Sequence, residues 1–273
     1  MRLPLKVHAV KIRYREQLLR TMPHGRFGMY RGKRCVYISY IPGNSEVSML
    51  NRKRYMVDSK QGREYTLQIE RYLSIKAEYD RLLLDWRLLY TVEPPAIRFP
   101  IVQTYDPHHM DNRFFDDAID KTNTIQAEHP VYSGCDVLKS KNEQFGKSIF
   151  KQLGIPYKYE VALDVDNPDG FIPDYLLSFF EIDRCIYAEI CGMSDKYEYS
   201  RTTAQKINFY SNNNYRPGRE IVYSFMYDKY NFDEAYFTEL ILGAYNALIP
   251  EEALDWDHCL PPCITGDSQL SQE

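Results

Sequence analysis

The stretch FIPDYLLSFFEIDRCIYAEICGM, residues 171–193, decides the fold of this chain. Two apolar and aromatic runs, 170–180 and 185–193, flank the polar turn Glu181-Ile182-Asp183-Arg184 and read as strand, turn, strand. Each run carries one carboxylate among apolar neighbours. Asp174 directly follows Pro173, and Glu189 lies deep in the second run, ahead of Ile190, Cys191 and Gly192. A charge in such a place is costly unless something pairs with it or a metal binds it. If the runs pair around the turn, residues whose numbers sum to about 365 oppose one another. Asp174 then lies opposite Cys191, two residues from Glu189. Opposed residues share a face, as do residues two apart, so both acids project from one side of the sheet near its end.

The elements on either side complete an α/β pattern. SKNEQFGKSIFKQLG (140–154) reads as an amphipathic helix, with Ser140 as N-cap, Phe145, Ile149, Phe150 and Leu153 on one face, and Gly154 as the stop. In this helix Glu143 stands three past Ser140, the place of a capping-box acid, and it can also reach inward. YKYEVALDV (157–165) is a strand that contains a further acid, Glu160. After the central pair come a helix at 195–210, a strand at 219–227 and a helix at 232–248. The run CIYAEIC is apolar on both faces, as in a sheet covered by helices on both sides.

The N-terminal third differs in charge. Residues 1–90 hold 19 Lys/Arg against 8 Asp/Glu, whereas 91–273 hold 15 against 30. A basic lobe of this kind faces a polyanion or pairs with the acidic remainder. RFGMYRGKRCVYISYI (26–41) reads as a β-hairpin about Arg31-Gly32-Lys33, with Asn44 or Ser45 placed to cap a helix after it. From 65 to 90, Ile69, Tyr72, Tyr79, Leu83, Trp86 and Tyr90 recur at helical spacing. That stripe packs on the hairpin, on the C-terminal domain, or on a second copy of the chain. The division expected is a basic hairpin and helical region at 1–92, a proline- and acid-rich linker at 93–134, an α/β domain at 135–248 and a tail at 249–273. Arg13, Arg15, Arg31, Lys33, Arg34, Arg52, Lys53 and Arg54 are the expected nucleic-acid contacts, through salt-dependent phosphate binding.

Other readings are set aside on similar grounds. No apolar run has the roughly 20 residues of a membrane span, and the N-terminus lacks an apolar secretion core. The six cysteines, 35, 135, 185, 191, 259 and 263, form no framework, which points to a reducing, cytoplasmic setting. His258, Cys259 and Cys263 lack the second ligand pair of a zinc site. Asp106, His108, His109 and Asp111 sit in the linker and read as solvated, as do the loop acids Asp164, Asp166 and Asp169.

Two carboxylates converging at a sheet end suit a hard cation such as Mg²⁺, which prefers one or two carboxylates plus water and phosphate oxygens. The Ile190 carbonyl is the third ligand expected. The order of elements, the Pro173-Asp174 pair and Glu189-Ile190-Cys191 resemble the PD-(D/E)XK nuclease superfamily. The resemblance covers about 138–248. YAEICGM followed by YEYSRTTAQKINFY is similar to a bacterial and phage subgroup reading E-x-x-G, then Tyr, then Lys-Ile and Tyr. It implies a restriction-endonuclease-like mixed sheet flanked by helices, Mg²⁺-dependent hydrolysis of DNA with Mn²⁺ able to substitute, and Glu143, Asp174 and Glu189 at the site. The family's lysine two residues after the glutamate is replaced here by Cys191, so Lys206, on the following helix, is the expected substitute, with Lys196 a weaker one. The other classes open at this point are a nuclease-fold protein without activity that binds nucleic acid or serves in an assembly, and an interaction protein that oligomerises through the 65–90 helix.

Overall fold

The structure is a computed structural model describing residues 2–101, 105–121, 130–134, 136–192, 196–226 and 231–256. Cys135, His258, Cys259, Cys263 and the tail beyond 256 lie outside the described residues. The protein is mixed α/β and its described residues divide into two compact units, one of residues 8–97 with 254–256, the other within 98–253 with residues 2–7. None of the described helices is long and apolar enough to cross a membrane.

The basic unit begins with α1 (Leu5–Arg20), followed by β1 (His24–Tyr30), β2 (Lys33–Tyr40), β3 (Lys53–Met56), α2 (Lys60–Leu89) and the short β4 (Ala96–Ile97). β1, β2 and β3 form an antiparallel sheet in that order. Arg31 and Gly32 both have positive φ, 48° and 76°, the backbone of a two-residue hairpin turn that follows the sheet twist. Val36, Ile38, Val47 and Ile69 are fully or nearly buried between sheet and helix, with Phe27, Tyr55 and Tyr65 packed around them. In α2, Ile69 and Trp86 of the expected stripe are buried, and Tyr72, Tyr79, Leu83 and Tyr90 are half-buried. The stripe therefore packs inside its own unit. Gly62 is required in the first turn of α2, because a Cβ there would meet the Met56 carbonyl at 1.8 Å.

In the second unit come α3 (Asn112–Asp117), β5 (Val131–Ser133), β6 (Asp136–Leu138), α4 (Lys141–Leu153), β7 (Tyr157–Tyr159), β8 (Tyr175–Phe179), β9 (Arg184–Cys191), α5 (Tyr197–Asn212), β10 (Ile221–Phe225) and α6 (Glu234–Leu248). β7, β8 and β9 form an antiparallel meander, and β10 adds parallel to β9, giving the order β10-β9-β8-β7. All the side chains of β8 and β9 are buried. Tyr175 packs against Phe150 of α4 with centroids 5.0 Å apart, and Phe179 stacks on Tyr245 of α6 at 4.2 Å. On the opposite face Leu176, Tyr187 and Cys191 join Tyr210 and Tyr215 in a separate core cluster. α4 is capped as its sequence implies, with the Ser140 side chain accepting from Glu143 N–H and Gly154 in the left-handed region at φ 63°.

Four expectations change here. Phe145 is exposed rather than in the core and stacks near Phe232 at 5.6 Å. The strand expected over 157–165 ends after Tyr159, because Glu160 turns the chain at φ 50°. Residues 105–118, expected in a solvated linker, instead pack on the sheet: Met110 is fully buried, its carbonyl accepts from Cys185 N–H at 2.6 Å, and Asn112 bonds to Asp183 and Phe180. Asp106, His108 and Asp111, expected to be solvated, are instead engaged by neighbouring residues. Asp106 pairs with buried Arg184, His108 meets Asp164 at 3.3 Å, and Asp111 caps α3.

Candidate active site

In the β8–β9 register Tyr175 opposes Ala188, so the next pair outward places Asp174 opposite Glu189. The expected register is off by two residues, which preserves the face of every side chain. Asp174 therefore stands directly beside Glu189 at the open end of β8. Its Oδ2 accepts the Ile190 N–H at 2.7 Å. On the other side of β9, Tyr223 of β10 stands opposite Glu189.

α5 lies over this face and supplies the third charge. Tyr199, Lys206 and Tyr210 fall at i, i+7 and i+11, one stripe of the helix. The Gly192 N–H donates to the Tyr199 hydroxyl at 3.1 Å, and the Lys206 Nζ donates to Glu189 Oε1. Glu189 Oε2, the Tyr210 hydroxyl and the Tyr223 hydroxyl are buried and have no hydrogen-bond partner among the described residues. Unpaired buried polar atoms are rare, and one on Glu189 with two tyrosine hydroxyls on the same site forms a polar cluster that water or a cation would satisfy.

The charges report the same strain. Burial first, then the neighbouring Glu189 and Glu143 carboxylates, push Asp174 well above the ordinary carboxylate range. Burial also raises Glu189, against the opposing pull of Lys206. Burial works against the Lys206 charge, but Glu189 and Asp174 outweigh it, so the ammonium holds its proton more tightly than an ordinary lysine. Burial raises Cys191, with Glu189 and Asp174 adding to it, so this residue is a neutral thiol in an apolar cluster. The Tyr199 hydroxyl is pushed up to about 12 by burial and then by Asp174.

The remaining expected residues lie elsewhere. Glu143 is buried, but its oxygens are taken by Lys139 N–H at 2.8 Å, the Ser140 hydroxyl at 2.9 Å and the Tyr159 hydroxyl at 2.6 Å. These partners make it a cap of α4, and its charge still acts on Asp174 and Glu189. Glu160 pairs with Lys139 at 2.5 Å, and Lys196 is exposed ahead of α5. In the basic unit, Arg15 is corrected too: it is buried and paired with Glu78 at 2.8 Å, because it falls on the inner face of α1. Arg13 donates to the Pro94 and Pro95 carbonyls and to Glu16. Arg31, Lys33, Arg34, Arg52 and Arg54 are exposed, and Lys53 reaches Glu46 at 3.4 Å. Tyr223 is the site residue that sequence patterning misses, because a tyrosine in a buried strand counts there as one more apolar residue.

The donor set fits a hard divalent cation: a buried carboxylate oxygen without a partner among the described residues, and a second carboxylate beside it at a strand end. Among the described residues no group of three or more His, Cys, Asp and Glu side chains is placed to hold a metal. Mg²⁺ does not need one, because it retains waters. Comparison with protein-family models, curated proteins and solved structures finds no match to this chain.

Proposed function

We propose that the protein is a Mg²⁺-dependent nuclease that hydrolyses DNA phosphodiester bonds, with the basic unit binding the nucleic-acid backbone. One observation carries this reading: Asp174 and Glu189 stand side by side on adjacent buried strands, and Lys206 closes on them from α5. The β10-β9-β8-β7 order, with a meander and one parallel strand between helices, supports a restriction-endonuclease-like core.

Asp174, Glu189 and the Ile190 carbonyl would hold the cation. When bound, Mg²⁺ or Mn²⁺ supplies Lewis-acid polarisation of the phosphodiester and neutralises its charge. Lys206 remains cationic across the neutral range and stabilises negative charge developing on the phosphate. It is not a general base, because its proton is bound more tightly than usual. Lys206 thus stands where the family's lysine is expected to act, from a helix instead of from β9. Both carboxylates hold protons above their ordinary range, so cation affinity falls as pH drops into that range.

Metal-dependent nicking of supercoiled plasmid tests the proposal. The wild type cuts with Mg²⁺, Asp174→Ala and Glu189→Ala lose at least about a hundred-fold in rate, and Lys206→Gln loses a similar amount. Residual cutting equal to wild type in both carboxylate variants refutes it.

A further inference from the structure

The three-stranded sheet of the basic unit has one face on α2 and a second face with a different composition. Phe27, Val36 and Ile38 point into the core, so the alternate residues Arg26, Gly28, Tyr30, Lys33, Tyr37, Ser39 and Arg54 share the opposite face. On that face Arg26 is paired across the strands with Tyr37, and Tyr37 with Arg54. The Arg54 guanidinium lies over the Tyr30 ring at 3.3 Å, and that of Arg26 lies 5.4 Å from the Tyr37 ring. Gly28 makes room for Tyr37: a Cβ there would come within 2.7 Å of the ring, which stays half-buried. Beside it Gly25, Arg26, Tyr37, Ser39, Met49 and Arg52 line a cavity of about 450 Å³.

The charge on this sheet is uncompensated. Residues 24–56 contain seven Lys/Arg and a single acid, Glu46. Glu46 pairs with Lys53, on the core side of β3, and no ion pair is found for Arg26, Arg31, Lys33, Arg34, Arg52 or Arg54 among the described residues. Phosphate binding alone would use the cations and leave the rings idle. Half-buried tyrosines among guanidinium groups offer π-surface that a base can use only when it has left its own stack, since duplex bases already cover one another's faces.

We propose that this face, centred on Tyr30 and Tyr37, is a stacking platform for unpaired nucleobases, with Arg26, Lys33, Arg52 and Arg54 holding the adjoining phosphates. The inference rests on the nucleic-acid half of the proposed function and makes single-stranded segments the preferred substrate. It is independent of the cleavage chemistry.

The experiment is fluorescence anisotropy of the full chain in EDTA, where no hydrolysis occurs, with three probes at one salt concentration. These are an oligothymidylate of about 20 nucleotides, an abasic oligomer with the same backbone, and a duplex of equal length. The oligothymidylate binds at least about ten-fold tighter than the abasic oligomer, and tighter than the duplex. Tyr30→Ala and Tyr37→Ala each weaken oligothymidylate binding by about ten-fold while changing duplex affinity less than about two-fold, and Tyr37→Phe binds as wild type. Arg26→Gln and Arg54→Gln weaken all three probes and flatten the salt dependence. Equal affinity of wild type for the abasic oligomer and oligothymidylate overturns the proposal without recourse to any variant. So do folded tyrosine variants with undiminished oligothymidylate affinity. An oligouridylate arm assigns the sugar, and tight binding of either polymer upholds a base-stacking face. Asp174→Asn keeps this binding, so a loss of cutting with intact binding counts against the nuclease reading alone.

Discussion

Replacing Lys206 with Met tests whether its ammonium is the charge that lets Glu189 remain ionised inside the protein. The Lys206 side chain is 25% exposed and that of Glu189 only 6%, so the pair is largely shielded from water. Removing one partner of a buried pair costs about 3–5 kcal/mol, and the partial exposure of Lys206 favours the lower end, about 3 kcal/mol. For a chain of this size each kcal/mol moves Tm by about 2–4 °C, so Lys206→Met should melt roughly 6–12 °C below wild type at about pH 8. The sign of the pH dependence comes from Glu189, whose folded proton affinity is already raised by burial and rises further once Lys206 is gone. A carboxylate with a raised folded pKa contributes stability while it is protonated, and that stability is lost as pH climbs from its unfolded value through its folded value. The deficit of the variant should therefore be small near about pH 5 and full near about pH 8, while Lys206→Arg, which keeps the charge, stays within about 1 kcal/mol of wild type. Scanning calorimetry of the three proteins across this range checks it. An equal Tm loss at both ends would mean that Lys206 contributes packing alone, and the electrostatic account of the site would fail.

Other parts of the chain lead to three more expected outcomes. Arg184 is 1% exposed and joins Asp106 to Glu220, itself fully buried, so Arg184→Met should cost about 3–5 kcal/mol in urea melts, whereas Arg216→Gln, on the outer side of Glu220, should cost under about 1 kcal/mol. Gly62→Ala would drive a methyl into the Met56 carbonyl and should destabilise the basic unit by about 2–4 kcal/mol, read by far-UV circular dichroism on heating. Leu73, Leu84 and Leu88 of α2 are exposed at 38%, 59% and 75%, on a side of the helix that its own sheet does not use. If this strip joins two copies, sedimentation equilibrium gives a dimer that Leu84→Lys with Leu88→Lys converts to monomer, and a monomeric wild type ends the idea.

Local signals were the legible ones. The hairpin turn at Arg31-Gly32, the Ser140 and Gly154 caps of α4 and the strand–turn–strand of 171–193 depend on residues a few positions apart, and the structure places them as their chemistry implies. Elsewhere distant contacts decide. Arg15 is one cation among several on α1, and nothing local says that Glu78 waits opposite it. Asp106, Met110 and Asn112 look like loop residues until the sheet they cover is present. Glu143 fits both a cap and a site acid, and the Tyr159 hydroxyl, sixteen residues away, is what commits its carboxylate to the cap. The strand after Tyr157 stops because Glu160 turns out toward Lys139, a tertiary pairing that β-propensity does not contain.

Cys191 then has a physical explanation. It shares the face of Glu189 and lies under α5, within the cluster of Tyr187, Tyr210 and Tyr223. A lysine at this position would have to pass its stem between those rings and the helix to bring an ammonium back to the carboxylates. The structure fills that space with a thiol kept neutral by burial, and the helix above delivers the ammonium instead. One cation stands against two crowded carboxylates, and it comes from a spatial neighbour instead of a sequence neighbour. Spacing finds the two acids and leaves Lys206 and Lys196 as candidates for their cation, and α5 laid across β9 puts the Lys206 ammonium on Glu189.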